Sequence, residues 1–244
     1  LERNTIAFED SLDLAVADNG PDRIVPFTEF YEHKAGQKKL ISYTTGLGLL
    51  DEYTQGFRPG EVVVLTGPTG NGKTLFAETI GQRLMRSQNM RIAWFSFEVP
   101  TEQIITKYVE SDDYDKLGLF VPMEMKPGDF EWLKRKCLEA QLKYNVQAVF
   151  IDHLHFLVDM VVKSNFSLNI GAVMRRIKHE IAKEMGLIVF LIAHQGQPGD
   201  NEPSLDSCRD SSFIGQECDT GIVVFRSPDP LPDELKKNAG IKGY

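Results

Sequence analysis

Gly67-Pro68-Thr69-Gly70-Asn71-Gly72-Lys73-Thr74 fits the phosphate-loop pattern G-x-x-x-x-G-K-[ST]. Just before it, Glu61-Val62-Val63-Val64-Leu65-Thr66 reads as a buried strand. Just after it, Phe76, Ala77, Ile80 and Leu84 recur at helical spacing. A strand, a glycine-rich turn and a helix start are the parts a nucleoside triphosphate needs. The glycines let the backbone wrap closely, so that its N–H groups point at the anion. The helix N-terminus adds partial positive charge. Lys73 can reach the β and γ phosphates, and the Thr74 hydroxyl can ligate Mg²⁺. All eight residues of the loop are therefore expected to line an ATP site.

From this loop outward the chain alternates apolar strands with helical patterns. Arg91–Phe97 is a strand, and Pro100-Thr101-Glu102-Gln103 opens a helix with Thr101 as a cap. Residues 112–128 are acidic and punctuated by Pro and Gly, which predicts a loop with at most a short strand. Leu133, Cys137, Ala140 and Tyr144 share a helical face, as do Ile170, Val173, Ile177, Ile181 and Met185. Val146–Ile151, Leu187–Ala193 and Thr220–Phe225 are three more strands. Such alternation predicts an α/β fold, a P-loop NTPase core with a mostly parallel sheet and helices on both faces. Residues 1–42 differ in character. Phe8, Leu12 and Ala15 suit one short amphipathic helix that Asn19-Gly20-Pro21 breaks, and the segment is too small for a core of its own. The expected division is an arm or linker over 1–42 and an ATPase domain over 43–244.

Composition narrows the class. The 244 residues are 42% hydrophobic and 25% charged, as in a globular protein, and no apolar run approaches membrane-spanning length. Leu1-Glu2-Arg3-Asn4 does not resemble a signal peptide, and a first residue other than Met reads as part of a longer protein. Cys137, Cys208 and Cys218 form no C-x-x-C, which argues for a reducing compartment, whether cytoplasm, nucleoid or organellar matrix. A net charge of −8 argues against a uniformly basic nucleic-acid binder, though a ring can line a narrow channel with cations and keep an acidic exterior.

Polar residues end three of the apolar strands. Asp152 follows Val149-Phe150-Ile151, at the edge where open α/β sheets bind ligands, and can hold Mg²⁺ through its water shell. Glu98 follows Phe95-Ser96-Phe97 and, if the strands are adjacent, can orient or deprotonate the attacking water. His194 follows Leu187–Ala193 and can hydrogen-bond the γ-phosphate. Asp152, His153, His155 and His194 also raise a transition-metal site. Asp152 and His153 should point to opposite faces of a strand, and no second carboxylate is spaced to complete the set, so the expectation is against it.

In this order the residues resemble the RecA-like motor domain of DnaB-type replicative helicases, including Twinkle and the phage primase-helicases. Thr45-Gly46-Leu47, Leu50-Asp51 and Gly56-Phe57-Arg58-Pro59-Gly60-Glu61 resemble the opening of that domain. The phosphate loop, Phe95–Gln103, Phe150–Phe156 and Ile192-Ala193-His194 resemble its successive nucleotide segments, and Ser211, Gly215-Gln216-Glu217 and Asp219 the end of its DNA-binding loop. The likeness spans about residues 41–227. It implies an ATP- and Mg²⁺-dependent helicase in which Lys73 and Thr74 bind phosphate and metal, Glu98 activates water, Asp152 supports the metal and His194 reports the γ-phosphate. It implies a homo-oligomer, a hexameric ring, that holds single-stranded DNA on two channel loops near Val161–Leu168 and Gly196–Gln216, with Lys163 and Arg209 as their cations. A primase or other replication proteins are the implied partners.

The sequence departs from the family in places. His155 stands where Gln is usual. The family's arginine finger lies on a strand beyond the fifth, and no Lys-x-Arg follows Arg226 and the Pro-rich Ser227–Pro232 segment. Either a further C-terminal piece carries it, or it comes from elsewhere, or the motor is impaired. Asp200, Glu202, Asp206 and Asp210 in the second loop would repel DNA unless turned away. Two other readings share the phosphate loop: a RecA- or RadA-like recombination or repair ATPase, and an ATP-binding regulatory or loader module that is not a motor.

Overall fold

The structure is a computed structural model that describes Gly20 and residues 23–35, 41–109, 117–158, 166–194 and 212–226. The chain divides into two compact units, Leu1–Leu40 and Ile41–Tyr244. In the first, a single helical turn α1 (Phe27–Phe30) runs into a π-helical turn, Tyr31–Ala35, and α1 buries no residue. The helix expected around Phe8, Leu12 and Ala15 lies outside the described residues.

The second unit holds the sheet. Its elements in chain order are α2 (Gly48–Thr54), β1 (Val62–Thr66), α3 (Lys73–Gln88), β2 (Ile92–Ser96), α4 (Thr101–Val109), β3 (Leu119–Phe120) and α5 (Phe130–Tyr144). There follow β4 (Ala148–Asp152), a 3-10 turn at Leu154–Leu157, and α6 (Phe166–Arg176), which continues as a π-helical stretch over Ile177–Lys183. β5 (Ile188–Ile192), α7 (Ser212–Glu217) and β6 (Thr220–Val223) complete it. The strand order is β3-β2-β4-β5-β1-β6 and every pairing is parallel. The acidic stretch before α5 thus contributes a two-residue edge strand, β3.

Parallel strands covered on both faces must be apolar on both faces. Every residue of β1, β2, β4 and β5 is buried. Alternate residues feed two cores. Val62, Val64, Phe95, Val149, Ile151, Val189 and Leu191 pack with Leu133 and Cys137 of α5 and with Ile170 and Met174 of α6. Val63, Leu65, Trp94, Phe150, Ile188 and Phe190 pack with Ala77, Ile80 and Leu84 of α3 and with Ile104 of α4. On that second face the Trp94, Phe150 and Phe190 rings stack across three strands at 4.7 and 4.4 Å, and Phe57 meets Phe190 edge-on at 4.9 Å. Tyr144, on the helical face shared with Leu133, Cys137 and Ala140, is about half exposed, unlike those three. It lies at the C-terminal end of α5, where its ring stacks on Phe120 of β3 at 4.6 Å.

The opening segment is tied down by one carboxylate. Asp51 accepts hydrogen bonds from the Thr45 and Gly46 backbone N–H groups and from the Thr45 hydroxyl, at 2.6–2.9 Å. Tyr43 then pairs with Phe57, which seats the Phe57 ring on the aromatic stack. At the β6 edge of the sheet Asp219 holds β6 to β1. Its carboxylate accepts the Val62 N–H at 2.8 Å and pairs with Lys178.

The ring stack predicts a large truncation cost. Phe150→Ala should lower the unfolding free energy by about 3–5 kcal/mol, read as an earlier midpoint in chemical denaturation.

Candidate nucleotide site

β1 delivers the chain to Gly67, whose φ of 146° and neighbours exclude any side chain. A Cβ there would run into the Val224 carbonyl oxygen. Gly72, at φ 93°, turns the loop into α3. The loop is fastened to the strand beside it. Val224 donates to the Thr66 carbonyl at 2.7 Å, and the Arg226 N–H donates to Asn71 Oδ1 at 2.9 Å. Lys73, largely buried, lays its ammonium across the loop and donates to the carbonyls of Gly67 and Pro68 at 2.9 and 3.1 Å.

Asp152 ends β4, fully buried, and its Oδ2 accepts the Thr74 hydroxyl at 2.8 Å. Its Oδ1 is buried with no hydrogen-bond partner among the described residues. A buried carboxylate oxygen left unpaired is costly. Burial pushes the Asp152 carboxyl up to about 6, with the Thr74 hydrogen bond opposing the shift. A hydroxyl and an unpaired carboxylate oxygen side by side are hard oxygen donors of the kind Mg²⁺ selects, so the residues present fit that ion.

Glu98 stands two residues beyond β2, which pairs with β4 rather than with β1. The Phe97 and Glu98 N–H groups both donate to the Asp152 carbonyl, at 2.6 and 3.3 Å, which fixes the loop against the end of β4. The exposed Glu98 carboxylate meets two histidines. Its Oε2 is 3.0 Å from His153 Nδ1 and 3.2 Å from His194 Nε2. Burial, followed by the charge of His194, pushes His153 down to about 4, with Glu98 opposing. The His155 ring lies 5.4 Å from that of His153 and 6.1 Å from that of His194.

The structure therefore brings Lys73, Thr74 and Asp152 together, and sets Glu98 and His194 side by side at the same strand ends. The contact of His153 with Glu98 escaped the sequence, because strand order is not written in it. Lys163 and Arg209 lie outside the described residues, as do most of both expected channel loops. A cavity of about 520 Å³ lined by Phe120, Val121, Met123, Trp132 and Tyr144 shares no residue with the phosphate loop. No helix among the described residues is long and apolar enough to cross a membrane.

The DnaB-like helicase C terminal domain family matches residues 42–116. A probable replicative DNA helicase of Trieres chinensis is 23% identical over 231 residues, 80% of this chain and 50% of that protein. The replicative DNA helicase DnaC of Bacillus subtilis (strain 168) is 23% identical over 269 residues, 98% of this chain and 57% of that protein. The chain thus spans little more than half the length of these curated relatives. Among solved structures, one ATPase domain superposes with a TM-score of 0.67 at 17% identity, covering 82% of this chain and 81% of that one. A DnaB-like replicative helicase, solved in a study of its interactions with primase, gives 0.68 at 17% identity, with 95% and 62% coverage. The fold is that of the RecA-like ATPase domains of DnaB-like helicases, and the resemblance read from the motifs holds at the level of sequence and of structure.

Asp152 carries a testable stability cost. At low pH its carboxyl is protonated in the folded and the unfolded chain alike. As pH rises from about 4 toward 6 the unfolded chain gives up the proton first, so stability falls, and above 6 the penalty is complete. Asp152→Asn should therefore raise the Tm of the nucleotide-free protein at pH 8 by about 3–8 °C and change it little at pH 4, measured by scanning calorimetry.

Proposed function

We propose that this chain is the ATP-hydrolysing motor domain of a ring-forming replicative DNA helicase. The reading rests on one arrangement above all: the phosphate loop with Lys73 laid across it, and the Thr74 hydroxyl on Asp152 at the end of β4, two strands from β1. The similarity to replicative helicases supports the same reading.

In this reading the loop from Gly67 to Thr74 wraps the triphosphate with its N–H groups, and Lys73 exchanges its two loop carbonyls for phosphate oxygens. Thr74 and Asp152 would hold Mg²⁺, which would supply neutralising charge to the phosphates. Glu98 takes the proton of the attacking water, and its own Oε2, held between His153 and His194, is the atom that receives it. His194, in contact with Glu98, carries the presence or loss of the γ-phosphate from the site to the segment that follows it in sequence. An arginine finger from a neighbouring subunit completes the site, as transferred-phosphoryl charge requires. Subunits assemble as a homo-oligomeric ring, a hexamer, around single-stranded DNA that Lys163 and Arg209 contact through phosphate. Residues 1–42 serve as an arm docking on the next subunit. A primase and other replication proteins in the cytoplasm, nucleoid or organellar matrix are its natural partners.

Steady-state ATP hydrolysis with and without single-stranded DNA tests this. Lys73→Ala should abolish nucleotide binding, and unchanged ATP affinity would sink the site. Glu98→Gln should retain binding and lose turnover by about 10²–10⁴-fold, and a fully active variant would remove Glu98 from the reaction. Lys163→Ala with Arg209→Ala should weaken DNA binding and reduce its salt slope by about 2. An unchanged slope would displace the DNA contact elsewhere.

A further inference from the structure

Glu98, His153 and His194 present one carboxylate oxygen and two imidazole nitrogens within 4.8 Å of one another. They come from the ends of three neighbouring strands, β2, β4 and β5. A tetrahedral ion with bonds of about 2.0–2.2 Å to nitrogen and oxygen sets its ligand atoms roughly 3.4 Å apart. The two edges that meet at Glu98 Oε2, at 3.0 and 3.2 Å, are already close to that length. Closing the third needs only rotation of Glu98 and His194, whose side chains reach solvent at 41% and 25% exposure, while His153 stays buried at 9%. That exposure also gives an ion and a fourth, water ligand a way in. His194 Nε2 faces Glu98 Oε2 at 3.2 Å, and its Nδ1 has no hydrogen-bond partner among the described residues, so Nδ1 is open to take the ring proton when an ion displaces it from Nε2. Two imidazoles with one carboxylate suit zinc and its neighbours among the divalent transition metals. Magnesium prefers an all-oxygen shell, such as the one Thr74 and Asp152 offer.

We propose that Glu98, His153 and His194 form a second cation site, for a divalent transition metal of the zinc type, and that its occupation removes the Glu98 carboxylate from ATP hydrolysis. The inhibitory half rests on the function proposed above, whereas the binding half does not. Zinc at this site takes both imidazole lone pairs and the oxygen that would accept the proton from water. It is therefore a brake on hydrolysis and not a cofactor of it.

Co²⁺ is the probe, because a four-coordinate site gives it a visible d–d absorption. Nucleotide-free protein with Mg²⁺ in excess should bind one Co²⁺, and Zn²⁺ should displace it. His153→Asn and His194→Gln, each checked for native thermal unfolding, should weaken binding by about 100-fold or more. A Cys208→Ser, Cys218→Ser double variant should bind as the wild type does. No visible band, a band unchanged in both histidine variants, or one lost with the cysteines would overturn the site. Zn²⁺ at saturation should then inhibit ATP turnover in the wild type, and His153→Asn should require a correspondingly higher zinc concentration. Turnover unaffected by saturating Zn²⁺ would overturn the brake. A wild type with no turnover before zinc is added would instead count against the proposed function, and the Co²⁺ titration would still decide the binding site.

Discussion

A parallel sheet covered on both faces has no room for charge along its strands, and this constraint orders the whole domain. Every residue of the four central strands is buried, and the two cores claim their alternate side chains. Polar chemistry can enter only where the strands stop. At one end of the sheet they stop at Thr66, Ser96, Asp152 and Ile192, and Gly67, Glu98, His153 and His194 follow within two residues. Parallel pairing makes that clustering unavoidable, because all these ends lie along the same edge. The aromatic stack through Trp94, Phe150 and Phe190 keeps the strands in register and so keeps the edge aligned.

Within that edge the site is held in conflict with stability. Asp152 is fully buried, with one oxygen on Thr74 and the other unpaired among the described residues. Burial raises its affinity for a proton, and a folded chain at neutral pH bears the cost of ionising it. A cation beside Thr74 would lower that cost, which is the physical sense of placing a carboxylate there. Gly67 shows a second concession to the same place. Its backbone lies so close to Val224 that no side chain fits, and the phosphate loop is thereby clamped to β6.

Much of this was legible in the chain. The apolar runs around Val62–Thr66, Ile92–Ser96, Ala148–Asp152 and Ile188–Ile192 announced buried strands, because burial on both faces leaves no polar alternation to confuse the period. The loop motif was legible because phosphate binding restricts residue types at fixed spacing. Where packing on one side is weak, the pattern said less. Two-residue β3 sits in an acidic, Pro- and Gly-punctuated stretch with too few residues to set a period. Asp219, directly before β6, also clamps that strand, bonded to the Val62 N–H and paired with Lys178, a contact that residue spacing alone does not show.

Sequence by itself determined the class of fold, the position of the phosphate loop and the strand ends that bear Asp152, Glu98 and His194. Those features are local, since each depends on the residue types within one strand, turn and helix. Only the tertiary structure decided who meets whom. The order β2-β4-β5-β1 sets Glu98 beside Asp152 and between two histidines, and brings Thr74 to a carboxylate far away in sequence. Strand order follows from how helices cross over a twisted sheet and bury both of its faces together. That is a property of the assembled layers, and no single segment of the chain carries it.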